Sequence, residues 1–172
     1  IKIGAGIYAK RKYGGQGEHI MISNQILQNT IDGLKNITRT DLCVIDAEGK
    51  VLAATFQDAD KYADAAQNFA VSPADSQVVG GCQFFKVFDD NQLEYVIIAK
   101  GEADDVYMIG KVAAFQVQNL LVAYKERFDK DNFIKNLLLD NLLLVDIYNR
   151  AKKLHIDTDV KQPILVVQHM PA

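Results

Sequence analysis

The stretch CQFFKVFDDNQLEYVIIA, residues 82 to 99, contains two apolar runs on either side of a short polar segment. Aromatic and β-branched residues dominate both runs, which favours β-strands. The intervening DDNQ, residues 89 to 92, can bond to nearby backbone and tolerate turn geometry, so the stretch predicts a β-hairpin. Upstream, the β-prone runs 42 to 45 and 51 to 55 flank AEGK and predict a second strand pair.

Helical patterns surround both strand pairs. Apolar residues recur at helical spacing over residues 22 to 34, and the alanine-rich segment 58 to 69 predicts one short helix between the pairs. Gly80 and Gly81 would let the backbone bend into the second hairpin. A long helix is predicted over residues 104 to 128.

This long helix is apolar on a wide arc that we divide into two stripes. The first stripe is Val106, Ile109, Ala113, Gln116, Leu120 and Ala123. The second stripe is Met108, Val112, Phe115 and Val122. We expect one stripe to cover the sheet and the other to pack against a second subunit, so that residues 104 to 128 form a homodimer contact. The alternative is that both stripes pack within one monomer.

Composition excludes several classes of function. The 172 residues are 49% hydrophobic, enough for one proper core. A formal charge of −3 provides no broad attraction for nucleic acid. The two cysteines, Cys43 and Cys82, lack metal-ligand spacing and are expected to be buried free thiols. No apolar run reaches the length of a membrane span, so we expect a cytoplasmic protein without membrane contact.

The chain divides into three predicted segments. Residues 1 to 20 are rich in glycine and basic residues and are interpreted as a non-native leader before Met21. Residues 21 to 128 form the main domain. Residues 129 to 172 are interpreted as a helical linker and the start of a truncated following domain, whose first strand would be residues 164 to 168.

No motif indicates catalysis. GAGIYA, residues 4 to 9, fits a dinucleotide pattern, but no βαβ unit follows it. His19, His155 and His169 lie apart from the predicted sheet strands. We therefore expect no enzyme activity, catalytic residue, metal site or cofactor.

A polar group among the aromatic residues of the second hairpin is the best candidate for binding. Lys86, with Tyr95 or Gln83, could offer a cation and hydrogen-bond donors to a small anionic ligand held between the sheet and the short helix, beside Phe84. The alternative is that Lys86 packs along its stem and extends its amine to water.

Residues 22 to 128 resemble the N-terminal sensory region of the carbohydrate diacid regulators, which are bacterial transcription factors. The resemblance lies in SNQIL (23 to 27), VIDAEGKVL (44 to 52) and YVIIAKG (95 to 101). It implies a PAS/GAF-like α+β fold: an antiparallel sheet with a flanking N-terminal helix and a long C-terminal signalling helix.

A second resemblance covers the end of the chain. FIKNLL (133 to 138), RAKKLHID (150 to 157) and PILVV (163 to 167) look like the junction into the middle domain of these regulators and of the related purine catabolism regulators. The family's helix-turn-helix is absent from this sequence, so no direct nucleic-acid contact is expected. Together the resemblances imply a domain that binds a sugar-diacid-like molecule and regulates transcription; the alternative is a structural dimerisation module without a ligand.

Overall fold

The structure is a computed structural model that describes residues 8–12, 18–101, 105–139 and 141–157, with side chains described from Met21 onward. Its strands are β1 (Tyr8–Lys12), β2 (Glu18–Ile22), β3 (Asp41–Asp46), β4 (Val51–Ala54), β5 (Ser76–Val79), β6 (Cys82–Asp89) and β7 (Gln92–Lys100). Its α-helices are α1 (Asn24–Thr38), α2 (Ala63–Ala70), α3 (Val106–Leu138) and α4 (Leu144–Lys153), and a 3₁₀ turn (Ala59–Tyr62) precedes α2.

Five strands form one antiparallel sheet in the order β4-β3-β7-β6-β5, and β1 and β2 form a separate hairpin. Both predicted strand pairs are present, as β3 with β4 and β6 with β7. The predicted fold class is confirmed: the chain is α+β, with an antiparallel sheet, an N-terminal helix and a long C-terminal helix.

Helices cover both faces of this sheet. On one face α1 and α3 pack over side chains such as Val44, Phe85 and Ile97. On the other face the 3₁₀ turn and α2 pack over side chains such as Cys43, Phe84 and Ile98. The central strands β3 and β7 are therefore buried on both sides, which explains why they read as continuous apolar runs instead of alternating ones.

Two glutamine side chains cover exposed strand edges. On β4, the Gln28 amide accepts a bond from the Ala54 N–H (3.0 Å) and donates one to the Ala54 carbonyl (2.9 Å). Where β5 no longer pairs with β6, Gln118 of α3 accepts a bond from the Phe88 N–H (3.2 Å) and donates one to the Phe88 carbonyl (2.6 Å). Each amide occupies backbone groups that a neighbouring strand would otherwise bind.

Three element predictions need correction. The four-residue strand β5 was not predicted, and Gly80 and Gly81 form the turn that joins it to β6. The strands β1 and β2 lie where no element was expected, and Ile22 ends β2 instead of starting α1. The long helix continues to Leu138, ten residues beyond the predicted end at residue 128.

The long helix buries one side only. Its buried residues between 106 and 121 are Val106, Gly110, Ala113, Ala114, Val117 and Leu121. The prediction of the first stripe was therefore partly wrong, because two of its members, Gln116 and Ala123, are exposed. All four residues of the second stripe are exposed, with between 52% and 66% of their surface accessible.

By length and composition alone, α3 is long and apolar enough to cross a membrane. The apolar runs of the sequence did not predict this. The apolar window that passes is 28% buried, and a single such helix is weak evidence because the test uses length and composition alone. One side of α3 packs against the sheet, and the structure is compatible with a soluble domain.

The chain separates into two compact units, Ile1–Lys125 and Glu126–Ala172. The first holds the sheet, and the second contains α4 and buries Phe128, Phe133 and Ala151. The predicted strand at residues 164 to 168 and most of the dinucleotide-like pattern at residues 4 to 9 lie outside the described residues. The interpretation of residues 1 to 20 as a leader stays a prediction.

Candidate functional site

Lys86 lies on the α2 face of the sheet and makes structural contacts there. Its amine donates a hydrogen bond to the carbonyl of Ser72, just after α2, and lies 5.0 Å from the centroid of the Phe69 ring. A cation near the last carbonyls of a helix is favourable. The amine therefore ties β6 to the end of α2, instead of extending to water as the alternative interpretation expected.

Aromatic side chains occupy the space between the sheet and α2. Phe84 stacks on Phe69 with ring centroids 5.9 Å apart, and Tyr62 meets Phe84 edge-on at 6.2 Å. Phe69 and Phe84 are fully buried. The Cys82 thiol donates a hydrogen bond to the Tyr62 hydroxyl (3.3 Å). This region is built as a packed core around Lys86.

Tyr95 lies on the opposite face of the sheet from Lys86. Strand pairing places Lys86 beside Val96 and Val87 beside Tyr95, so adjacent residues point to opposite faces. The Tyr95 hydroxyl accepts a bond from the Ile22 N–H (3.1 Å). Burial raises the pKa of Tyr95 to about 12, so the hydroxyl remains protonated at neutral pH. Its visible role is to hold β2 against the sheet.

Gln83 pairs with Ala99 and shares the α1/α3 face with Tyr95. The four predicted ligand residues are therefore not brought together. Phe84 and Lys86 lie on the α2 face, whereas Gln83 and Tyr95 lie on the α1/α3 face. Period-2 alternation assigned faces within each strand, but the sequence did not specify the register between strands.

A groove lies where α3 passes the edge formed by β5 and β6. It has a volume of about 490 Å³. Its lining is mixed aromatic, polar and charged: Asp75, Ser76, Phe85, Lys86, Tyr107, Lys111, Ala114, Phe115 and Gln118. Lys111 brings a cation to this lining, whereas the Lys86 amine is bonded to Ser72 on the α2 face. Aromatic surface with a few polar groups is typical of small-molecule sites.

Among the four predicted residues only Lys86 lines this groove. Lys111, Tyr107 and Gln118 were not predicted, because the candidate ligand residues all came from the strands of the second hairpin. A signal was present in the sequence: Lys111 lies among apolar residues of the long helix. Its amine lies 5.9 Å from the centroid of the Tyr107 ring.

Phe115 belongs both to the groove and to the second stripe. A molecule bound in the groove would therefore touch the same helix surface that a second subunit would cover. This overlap is the structural feature that could connect binding to assembly.

The cysteines are free and buried, as predicted. Burial raises the pKa of Cys43 to about 12, so its thiol is unreactive at neutral pH. Over the described ranges, no group of three or more His, Cys, Asp or Glu residues is arranged to hold a metal ion.

Comparison with known proteins finds no family model that matches the chain and no matching curated protein. The similarity to the diacid regulators therefore stays a prediction from the sequence motifs.

Proposed function

We propose that this chain is a cytoplasmic regulatory input domain that binds a small anionic molecule and transmits binding through a homodimer of α3. The observation that carries the proposal is the exposed second stripe on a helix whose other side is firmly packed on the sheet. A row of exposed apolar side chains on one side of a helix is a surface that proteins normally cover. The proposal includes no catalytic step and no direct contact with nucleic acid.

The groove beside α3 is the proposed ligand site. Lys111 supplies positive charge at its lining, and Ser76 supplies a polar group. A carboxylate is a suitable ligand because charge-assisted hydrogen bonds are stronger than neutral ones. The sugar-diacid class comes from the sequence resemblance, and Lys111 is the group that would bind a carboxylate in the groove.

The proposed mechanism is a shift between two arrangements of the dimer. A ligand changes such an equilibrium only as far as it binds one arrangement better than the other. Phe115 belongs to the groove and to the second stripe. A ligand in the groove would therefore favour the dimer arrangement in which the Phe115 ring contacts the ligand and the second subunit at the same time. A preference of about 1.4 kcal/mol would change the ratio of the two arrangements tenfold.

Calorimetric titration of the chain with galactarate tests the ligand site. We expect binding that weakens about tenfold or more in Lys111→Met, since a hydrogen bond to a charged group contributes about 1.5–3 kcal/mol. Lys50→Met removes an equal charge at the exposed β3–β4 turn and should bind as the wild type does. Gluconate, which has one carboxylate, should bind more weakly. Equal binding by Lys111→Met and wild type would refute this site.

A structural dimerisation module is the second candidate function. The packed aromatic cluster around Lys86 favours it, because Phe84 and Lys86 lie on the opposite face of the sheet from Tyr95. It predicts the same dimer but no response to carboxylates. Native mass spectrometry of protein purified from its host separates the two candidates, since a sensor should retain a small molecule and a scaffold should not.

A further inference from the structure

The exposed side of α3 has a spacing that fits another helix. Met108, Val112, Phe115, Asn119 and Val122 follow one another at alternating steps of four and three residues, and all five are exposed. The mean step of 3.5 residues is that of a coiled-coil seam, with Val112 and Asn119 at a positions and the other three at d positions. Over residues 108 to 122 this seam is about 21 Å long.

The seam points away from the sheet. The residues of α3 that contact the sheet side, such as Gly110, Ala113 and Val117, lie on the other side of the helix. Unit Ile1–Lys125 therefore leaves the seam uncovered. Two seam residues occupy a positions: Val112, which is apolar, and Asn119, which is polar. The polar side chain of Asn119 restricts which partner can cover the seam.

Asn119 argues for a second copy of this chain as the occupant. An amide in the middle of an apolar contact requires a hydrogen-bond partner, because burying an unpaired amide is unfavourable. A lipid surface offers no such partner inside its apolar layer. A second copy, running parallel and in register, presents Asn119 opposite Asn119 and satisfies both amides. An antiparallel copy would instead place Asn119 near Val112.

We infer that two copies of α3 pack in parallel and in register along this seam, with the two Asn119 side chains bonded to each other. The inference rests on the proposed dimer and adds its orientation and register. A single polar a residue is a known means of selecting one register at some cost in stability.

Disulfide trapping tests the orientation. Chains carrying Met108→Cys and chains carrying Val122→Cys, both with Asn119 intact, are mixed, allowed to exchange subunits and oxidised, and the linked peptides are identified by mass spectrometry. Parallel packing in register predicts 108–108 and 122–122 links. Native Cys43 and Cys82 are buried, and Asn29→Cys on the exposed side of α1 should give no linked dimer.

The other results would overturn the inference. Links between 108 and 122 would show antiparallel packing, and a dimer without any link at these positions would place the contact elsewhere while leaving the proposed dimer intact. A monomer that sediments with phosphatidylglycerol vesicles would overturn both the seam and the proposed dimer.

A second variant tests the role of Asn119. Asn119→Val removes the amide and should associate more tightly but less uniformly, with species larger than the dimer in sedimentation. A variant that forms the same single dimer with unchanged affinity would contradict the pairing of the two amides.

Discussion

One glycine determines how closely α3 approaches the sheet. A Cβ atom at Gly110 would overlap the Phe85 ring and lie 2.9 Å from the Cβ of Ala99. The next buried residues on this side, Ala113 and Ala114, are also small. Small side chains therefore allow the helix backbone to lie near β6 and β7.

Gly110→Ala should destabilise the fold. The extra methyl overpacks this contact at a cost of about 1–3 kcal/mol, which outweighs the gain of about 1 kcal/mol in helix propensity. Urea unfolding measures the change. The matched control is Gly33→Ala in α1, where a Cβ meets nothing within 4 Å, so only the stabilising propensity term remains. The same sign for both variants would contradict the close contact.

A pH-dependent contact lies between α1 and the start of β3. Asp41 accepts bonds from the Lys35 amine (2.6 Å) and the Thr55 hydroxyl (2.9 Å). Burial alone would raise the pKa of Asp41, but the bonds from Lys35 and Thr55 outweigh it and hold the pKa below the ordinary 3.8.

Asp41→Asn should therefore destabilise the protein at neutral pH and have little effect in acid. The folded-state pKa is lowered, so the carboxylate contributes stability above about pH 4, the ordinary range of an aspartate, and loses it as the pH falls through the folded-state value. Urea unfolding of both proteins at pH 7 and at pH 2.5 checks this. A difference that persists unchanged in acid would show that the charge of Asp41 contributes nothing.

At the scale of elements, the sequence predicted those parts whose pattern depends on burial. The central strands, the β6–β7 turn and the inner residues of α1, Leu27 and Ile31, follow from apolar runs and helical spacing. The edge strand β5 was missed because SQVV is short and largely exposed. The end of α3 was missed because helical spacing resumes after residue 128, where composition suggested a linker.

The glutamine that covers β6 gives a test at this scale. Gln118→Leu leaves the Phe88 N–H and carbonyl without their side-chain partner and should destabilise the fold by about 1–2 kcal/mol, since two hydrogen bonds are lost. Chemical denaturation measures it. Gln116→Leu, at an exposed position two residues earlier, controls for the change of residue type. Equal effects would mean that the Gln118 contacts add no stability.

At the scale of the whole molecule, helices cover both faces of the five-stranded sheet, and the two covered faces differ. The α2 face is closed by aromatic residues that include Phe69 and Phe84. The α1/α3 face is closed by the inner side of α3, which leaves the second stripe outside. Amphipathic spacing predicted that stripe, but the groove beside it depends on the path of α3 past β5 and β6, which local patterns do not specify.

The oligomeric state tests the account most directly. Sedimentation velocity of the full chain, with circular dichroism to confirm folding, should show a dimer in the wild type and a monomer in Phe115→Asp, because a charge in the second stripe must be desolvated on association. Ile37→Asp changes an equally apolar residue, 82% exposed on α1, and should remain a dimer. A wild-type chain that stays monomeric at every concentration, or a Phe115→Asp chain that dimerises like the wild type, would contradict the account.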